Sequence, residues 1–279
     1  MTQKLYVLGV GDLGIDTIHK LLELHVELKK DDCPIPIIQR IPLQEYKNEF
    51  KGLDFAAVLD LDYDLRYLND NVFPIYADDM MECGKILHEK FFDADIVFII
   101  ADVYDFSLAS LISTTLRKLG VVTIGILITT SHSVAFEFVR KAMPFYNTAF
   151  ISLYPNAEEY AKSVIKFVSD LILKSNVGID EIKKFLNDAG HVVLRTGYFG
   201  GNNKIKNTTL QALGDYRSLK SSQKFLMKIT SGNDFNSSEI SEAVEVIKEK
   251  TNPNIQIILG HVIDKNLGNS VKITFIAKK

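Results

Sequence analysis

The amino-terminal stretch of residues 5–14, Leu-Tyr-Val-Leu-Gly-Val-Gly-Asp-Leu-Gly, constrains the fold more than any other part of this chain. A short apolar run meets a glycine turn, and apolar residues then recur at helical spacing. Gly9, Gly11 and Gly14 have the G-x-G-x-x-G spacing between the predicted strand and helix. Such a turn presents backbone N–H groups and a helix N-terminus, which commonly hold a phosphate. The same spacing also occurs in tight strand-to-helix turns without a ligand, so both interpretations stay open.

Alternating apolar runs and helical patterns continue to about residue 155 and predict a doubly wound α/β domain. The clearest strand is residues 93–101, an apolar run after an acidic start, which is typical of a central parallel strand covered on both faces. The other clear elements are predicted strands at 121–128 and 149–153 and predicted helices at 80–92 and 107–119. Ligands of such sheets bind at the carboxyl ends of the strands, which is where the glycine turn lies.

The residues after the first helix indicate which nucleotide a dinucleotide-binding fold could accept. The first helix is expected to continue through Leu28, and residues 34–38 are expected to form the second strand. A dinucleotide-binding fold has a carboxylate at the end of that strand for a ribose hydroxyl. Here Arg40 follows, which suits a 2′-phosphate or is simply a surface cation. A Rossmann-type NADP enzyme using Gly9 to Gly14 and Arg40 is therefore one alternative, although the six histidines are scattered and only His132 is well placed.

The second half of the chain predicts a smaller α+β domain. A long helix at about 158–174 precedes this domain, so the predicted division is a doubly wound domain (1–157), a connecting helix (158–175) and a carboxyl-terminal domain (176–279). The elements expected in the last part are strands at 191–196, 225–230, 255–259 and 271–277, helices at 179–189 and from Ser237 onward, and a hairpin-like turn at 264–268. The second helix is expected to be capped by the serine at its start.

Composition excludes several classes of protein. Hydrophobic residues make up 47% and charged residues 24%, which supports a sizeable core. A net charge of −3 without a long block of one sign argues against nucleic-acid binding or a membrane-surface protein. Cys33 and Cys83 have no metal-ligand spacing and are expected to be buried free thiols. No apolar run approaches the roughly 18 residues of a membrane span and no signal-peptide pattern is present, so a soluble cytoplasmic protein is expected.

Several stretches of the second half closely resemble the carboxyl-terminal domain of FtsZ, the bacterial and archaeal relative of tubulin. The stretches are 226–232 (Leu-Met-Lys-Ile-Thr-Ser-Gly), 238–243 (Ser-Glu-Ile-Ser-Glu-Ala), 257–260 (Ile-Ile-Leu-Gly) and 271–277 (Val-Lys-Ile-Thr-Phe-Ile-Ala). The opening glycine turn and residues 93–120 also look like FtsZ, whereas residues 32–90 resemble it least. The resemblance implies a GTPase-type domain, a long central helix and a smaller domain. It also implies head-to-tail polymers in which one subunit inserts an acidic loop at its neighbour's GTP.

The second phosphate loop of FtsZ, G-G-G-T-G-T-G, has no glycine counterpart in this chain. Successive backbone N–H groups wrap a phosphate closely only where glycine permits it. The corresponding residues 102–110 carry carboxylates and aromatic rings instead. The nucleotide-facing positions that the resemblance assigns here are Asp102, Tyr104, Asp105, Ser107 and Ser110. Two like charges about 4 Å apart repel by about 1 kcal/mol in water and by more in a drier site, so a triphosphate is disfavoured unless magnesium bridges, while the serine hydroxyls could still donate hydrogen bonds.

The opening turn also departs from the family. Gly9, Gly11 and Gly14 are kept, but Asp12 lies at the tip of the turn, where it repels an anion or binds a cation. Asp16 stands where FtsZ usually has an asparagine and is expected to cap the start of the helix.

The acidic loop of FtsZ reads N-x-D-x-x-D before a helix, and its carboxylates position the water that attacks the neighbour's GTP. The matching stretch gives Asn176, then Gly178 at the first acidic position, Asp180 beside the second and Glu181 at the second. Asp180 and Glu181 also suit the acidic first turn of an ordinary helix. A missing aspartate and a lengthened second acid should lower hydrolysis by orders of magnitude.

The sequence therefore predicts a divergent FtsZ-like scaffold protein whose GTP site has decayed, with no cofactor expected, or GTP or GDP with magnesium if the site still works. Expected partners are itself or an FtsZ-like protein, head to tail through residues 176–181, and other division or membrane-remodelling proteins, with no nucleic acid and no membrane insertion. The chain stops at Lys279, so the FtsZ tail that binds membrane anchors is expected to be absent. A slow but active GTPase with a rebuilt phosphate loop is the main alternative.

Overall fold

A computed structural model describes most of the chain. The described residues are 3–22, 25–28, 37–40, 50–59, 68, 72–76, 80–103, 106–130, 140–187, 189–233 and 235–278. The chain forms two compact units, the first made of residues 1–146 and 151–163 and the second of residues 147–150 and 164–279. In the described part, no helix is both long and apolar enough to cross a membrane. The division into 1–157, 158–175 and 176–279 stays a prediction.

The described part of the first 173 residues contains both strands and helices. The strands are β1 (Leu5–Val10), β2 (His25–Leu28), β3 (Ile37–Arg40), β4 (Leu53–Leu59), β5 (Val72–Tyr76), β6 (Ile96–Asp102), β7 (Val122–Thr129) and β8 (Thr148–Leu153). The helices are α1 (Gly11–Leu22), α2 (Met80–Phe91), α3 (Phe106–Lys118) and α4 (Ala157–Leu173), with a 3₁₀ turn at Met143–Phe145.

A parallel seven-stranded sheet forms the centre of this architecture, with the order β5-β4-β1-β6-β7-β8-β9, where β9 is Gly190–His191. The central strands β1 and β7 are buried along their whole length, and β6 is buried up to Ala101. Helix α1 buries Ile15, Ile18, Leu21 and Leu22, which are the residues at helical spacing in the sequence. The predicted doubly wound α/β fold is confirmed, and so is the buried, unpaired thiol of Cys83; Cys33 lies outside the described residues.

The expected continuation of the first helix through Leu28 is wrong. Helix α1 ends at Leu22, and residues 25–28 form a strand that pairs antiparallel with β3 in a separate two-stranded sheet. The physical reason is visible in the sequence, because Val26 and Leu28 alternate with His25 and Glu27 in the period of a strand. The expected second strand at 34–38 lies at Ile37–Arg40, and its residues 34–36 are outside the described part.

The second unit contains a four-stranded mixed sheet. Its elements are α5 (Ile179–Leu186), β10 (Arg195–Gly200), α6 (Lys204–Leu213), β11 (Lys224–Ser231), α7 (Ser237–Lys250), β12 (Gln256–Ile263) and β13 (Ser270–Lys278). The strand order is β10-β13-β11-β12, with β11 parallel to β12 and antiparallel to β13. Phe225 and Phe275 stack in its core with ring centroids 4.6 Å apart.

Three expectations for the second unit need correction. The hairpin at 264–268 is wrong, because β12 and β13 lie on opposite sides of β11 and do not pair. The strand expected at 191–196 is split, since β9 pairs with β8 and β10 pairs with β13. Helix α7 is capped by Asn236 rather than Ser237: the Asn236 side chain accepts hydrogen bonds from Ser238 N and Glu239 N, and Glu239 bonds back in a capping box.

Candidate functional site

The glycine turn lies where β1 ends and α1 begins, at the carboxyl edge of the seven-stranded sheet. Gly11, the first residue of α1, has φ +69°, a conformation that favours glycine. A Cβ on Gly14 would lie 2.3 Å from the Ile100 carbonyl oxygen of β6, and a Cβ on Gly9 would lie 2.8 Å from Ile18 Cδ1. The turn and the close packing of α1 on the sheet thus require all three glycines without any ligand.

Two carboxylates of α1 have different surroundings. Asp12 is exposed in the first turn of the helix, at the carboxyl edge of the sheet. Asp16 lies in the middle of the helix, where its carboxylate accepts a 2.6 Å hydrogen bond from Lys20 Nζ, and this bond raises the pKa of Lys20. The expectation that Asp16 caps the helix is therefore wrong, because α1 begins five residues earlier at Gly11.

The second phosphate-loop equivalent begins where β6 ends. Asp102 is the last residue of β6 and is half-buried, while Tyr104 and Asp105 lie outside the described residues. Helix α3 starts at Phe106, and Ser107 is exposed in its first turn. The Ser110 hydroxyl is buried instead. Among the described residues it has no hydrogen-bond partner, and neither does the phenol of Tyr146, whose pKa is strongly raised by burial. Of the two serines expected to face a phosphate, only Ser107 is exposed.

The acidic-loop equivalent follows the carboxyl end of α4. Ser175 Oγ donates to Leu171 O at 2.5 Å and accepts from Val177 N at 3.2 Å, which fixes the chain as it leaves the helix. Asn176 and Gly178 are exposed, and Gly178 is the N-cap residue of α5 with φ −66° and ψ 138°. No atom lies within 4 Å of the place where a Gly178 Cβ would stand.

Asp180 and Glu181 occupy the first turn of α5 and are both exposed. Acidic residues in this position interact favourably with the helix dipole, by about 0.3–1 kcal/mol each. The opposite face of the short helix buries Ile182, Phe185 and Leu186. The helix-start interpretation of the two acids therefore matches the structure and accounts for them without catalysis.

A buried ion pair joins α4 to the second unit's sheet, close to the acidic-loop equivalent. Lys228 Nζ of β11 lies 2.8 Å from Asp170 Oδ2 of α4 and donates to Lys166 O at 3.2 Å. Lys174 Nζ contacts the other carboxylate oxygen of Asp170 at 2.8 Å. Burial acts to raise the pKa of Asp170, but the charges and hydrogen bonds of the two lysines outweigh it and hold that pKa below its usual value. Burial lowers the pKa of Lys228, against the attraction of Asp170.

Sequence reasoning missed this pair, although a signal for it was present. Lys228 interrupts an otherwise apolar strand, between Met227 and Ile229, and its side chain is only 8% exposed. A lysine that a buried strand carries inward requires a carboxylate partner, because an unpaired buried charge costs several kcal/mol. Asp170, in a helical pattern of apolar residues, was the matching acid.

Of two other candidate positions, Arg40 and His132, the structure places only Arg40. Arg40 lies on β3 of the separate two-stranded sheet, so it does not follow a strand adjacent to β1 as the NADP interpretation requires. The neighbours of β1 are β4 and β6. His132 is outside the described residues. Within the described ranges, no three His, Cys, Asp or Glu side chains are grouped so that they could hold a metal ion.

The strand order, the long helix and the mixed second sheet define the class of the fold, which is that of FtsZ and tubulin. Residues 190–279 match the family described as FtsZ family, C-terminal domain. The carboxyl-terminal part of the chain therefore resembles FtsZ in sequence, and the chain as a whole has the FtsZ fold.

Known relatives support this assignment. Cell division protein FtsZ 1 of Rhizobium meliloti is 26% identical over 137 residues, a match that covers 47% of this chain and 23% of that protein. The empty FtsZ dimer of M. jannaschii has a TM-score of 0.73 at 17% identity, covering 100% of this chain and 89% of that one. The GTPγS-bound protofilament of CetZ2 from Haloferax volcanii has a TM-score of 0.67 at 13% identity, covering 99% and 92%. The likeness to these two structures shows the fold.

Proposed function

We propose that this chain is an FtsZ-like assembly or scaffold protein that has lost efficient GTP binding and hydrolysis. It acts through self-association, or through binding other proteins, in cell division or membrane remodelling. The observation that carries the proposal is Gly178, which stands at the first acidic position of the family's loop and has no carboxylate to orient water. The remaining acids, Asp180 and Glu181, are accounted for by the first turn of α5.

The phosphate side of the fold supports the same proposal. The exposed Asp12 and the carboxylate of Asp102 lie at the edge where a triphosphate would bind. The Ser110 hydroxyl is buried, so it is not an exposed hydrogen-bond donor at that edge. An anion there meets repulsion, and fewer groups donate hydrogen bonds to it than a glycine-rich loop would supply.

The solved structures support self-association. One of the structures with this fold is a dimer of FtsZ and another is a protofilament of CetZ2. A protein of this fold can keep the surfaces that it uses for assembly after it has lost the chemistry at its nucleotide site. The retained glycine turn favours the rival proposal, a slow but active GTPase, because a helix N-terminus still faces the carboxyl edge of the sheet.

Nucleotide binding is expected to be weak. Isothermal titration of the full chain with GTP or GDP in magnesium should give a dissociation constant above about 0.1 mM, a binding free energy smaller than about 5.5 kcal/mol. If Asp12 repels the phosphates, Asp12→Asn should strengthen binding, whereas Asp16→Asn, which removes a carboxylate paired with Lys20, should not. A dissociation constant in the micromolar range for the unaltered chain would overturn the proposal.

Restoring the missing acid gives a second test. Gly178→Asp should fold normally and change the free energy of unfolding by less than about 0.5 kcal/mol, because the site is open, its φ is ordinary and aspartate is a good N-cap. Phosphate release from GTP should stay at the background of the unaltered chain, since the phosphate loop is still lacking. Gly178→Asn is the uncharged control. An increase of tenfold or more with Asp but not with Asn would favour the active GTPase instead.

A further inference from the structure

A cavity of about 410 Å³ opens beside the amino-terminal halves of three strands in the first unit. Its lining includes Tyr6 of β1, Asp54 and Phe55 of β4, Phe73 of β5 and Lys90 of α2. The three strands run parallel, so the cavity lies at the edge of the sheet opposite the glycine turn. Cavities that bind small molecules have volumes of about 300–1,000 Å³, and this cavity falls within that range.

Strand pairing places four of the lining side chains on one face of the sheet. Tyr6 pairs with Asp54, and Ala56 pairs with Phe73. Partners on neighbouring strands share a face, as do alternate residues of one strand such as Asp54 and Ala56. Asp54 and Phe73 are diagonal neighbours about 7–8 Å apart, so one ligand can contact both. Helix α2 covers part of this face, because Phe91 packs edge-on against Tyr6 with ring centroids 4.8 Å apart.

The carboxylate of Asp54 is the acidic group at this cavity. Asp54 is exposed, and no residue in the described part of the chain forms a hydrogen bond or an ion pair with its side chain. Burial raises the pKa of Tyr6, and the negative charge of Asp54 raises it further, which shows that the carboxylate lies close to the phenol. The other acid that raises the pKa of Tyr6 is Asp93, and that carboxylate accepts a hydrogen bond from Lys4. Among the described groups around the phenol, Asp54 is therefore the carboxylate available to a cationic ligand.

The ring of Phe73 already holds a cation. Lys90 Nζ lies 4.2 Å from the centroid of this ring, and Phe73 is 39% exposed. The face of an aromatic ring attracts an ammonium group within about 6 Å. Lys90 is itself exposed, and its ammonium is carried on a flexible four-carbon stem, so the ammonium of a ligand can replace it on the ring. Lys90 thus acts as an internal competitor for the same ring.

We propose that this cavity binds a small organic amine, whose ammonium group contacts the Asp54 carboxylate and the Phe73 ring and whose aromatic body fills the cavity. An added β-strand is a poorer occupant, because β5 is the edge strand of the sheet and carries Pro74 in its middle, where no N–H can be donated. The inference does not depend on the proposed function, since the cavity and the glycine turn lie at opposite edges of the sheet.

Tryptamine is a suitable probe, because it joins a primary amine to an indole ring and this chain contains no tryptophan. The fluorescence anisotropy of the indole therefore reports binding to the full chain without a background from the protein. Tryptamine should bind saturably with a dissociation constant of about 1 mM or below. Indole-3-propionate has the same ring with a carboxylate in place of the amine and should bind at least about tenfold more weakly.

Two substitutions in the cavity should change the affinity for tryptamine in opposite directions. Asp54→Asn removes the carboxylate and should weaken binding by about tenfold. Lys90→Met removes the competing ammonium from the Phe73 ring and should strengthen binding by about threefold. Glu159→Gln is the matched control, because it removes one exposed carboxylate of the same unit outside the cavity and should leave the affinity unchanged. Far-ultraviolet circular dichroism confirms that each variant is folded.

Three results would overturn the inference. They are the absence of saturable tryptamine binding, equal affinities for the amine and the carboxylate probe, and a loss of affinity in Asp54→Asn no greater than in Glu159→Gln. The last result would mean that the amine is attracted by the overall charge of the unit or binds elsewhere. None of these results bears on the proposed function, which is tested by nucleotide binding and phosphate release.

Discussion

Replacing Lys228 by methionine is expected to lower the free energy of unfolding by about 3–5 kcal/mol. The substitution keeps the length and apolar stem of the side chain but removes the ammonium group that contacts Asp170 Oδ2 and Lys166 O. The Asp170 side chain, which is 11% exposed in the unaltered chain, is then left with only Lys174 beside it, and the Lys174 side chain is about half exposed to solvent. Chemical unfolding followed by circular dichroism measures the loss.

The double replacement Lys228→Met with Asp170→Leu tests whether the single variant loses stability because the charge of Asp170 is left unpaired or because packing around Lys228 is lost. Because it removes both charges, it should recover most of the stability, and it can exceed that of the unaltered chain. Lys174→Met is the control, with an expected cost below about 1 kcal/mol, since the Lys174 side chain is 48% exposed and Asp170 keeps Lys228 as its buried partner. A double variant as unstable as the single one would show that packing around Lys228, rather than an unpaired charge, explains the loss.

The pH dependence of the free energy of unfolding gives a second test of the same ion pair. The pKa of Asp170 is held below its usual value in the folded chain. The ionised carboxylate therefore adds to the free energy of unfolding at pH values above the pKa that Asp170 has in the unfolded chain. This stabilisation is lost as the pH falls through the pKa that Asp170 has in the folded chain. Without Lys228 the Asp170 pKa should rise. The difference in unfolding free energy between the unaltered chain and Lys228→Met should therefore narrow as the pH falls below about 4.

The main sheet could be predicted from sequence because its signals are local. The run at 96–101 is apolar without a break and forms the buried β6, and the glycine turn marks the change from β1 to α1. The start of α1 follows from the same turn, which is why an aspartate at position 16 cannot be its cap. Where the sequence period changes within a few residues, as at 25–28, the helix and strand signals overlap and the boundary was missed.

The second unit could be predicted in its elements but not in their pairing. Strands β12 and β13 follow each other with a short turn at 264–268, which suggests a hairpin, yet both pair with β11 instead. The order of strands is decided by contacts between distant residues, such as the stacking of Phe225 on Phe275. Periodicity within either strand carries no information about such contacts.

Only part of the candidate site could be predicted from the sequence, for a related reason. The resemblance to FtsZ brought Gly178, Asp180 and Glu181 to attention, and the structure places all three at the start of α5. The resemblance could not show that the Ser110 hydroxyl is buried, since burial depends on the packing of distant residues.

Gly14→Ala is expected to lower the free energy of unfolding by about 3 kcal/mol, because its Cβ would stand 2.3 Å from the Ile100 carbonyl oxygen and α1 must move away from β6. Gly84→Ala in α2 is the matched control: no atom lies within 4 Å of that Cβ, and alanine should stabilise the helix by about 0.5–1 kcal/mol. Chemical unfolding without nucleotide measures both. Opposite signs for the same substitution would show that packing alone requires the last glycine of the motif. An unchanged stability of Gly14→Ala would instead mean that the position is kept for a ligand, and would restore the case for a phosphate at this turn.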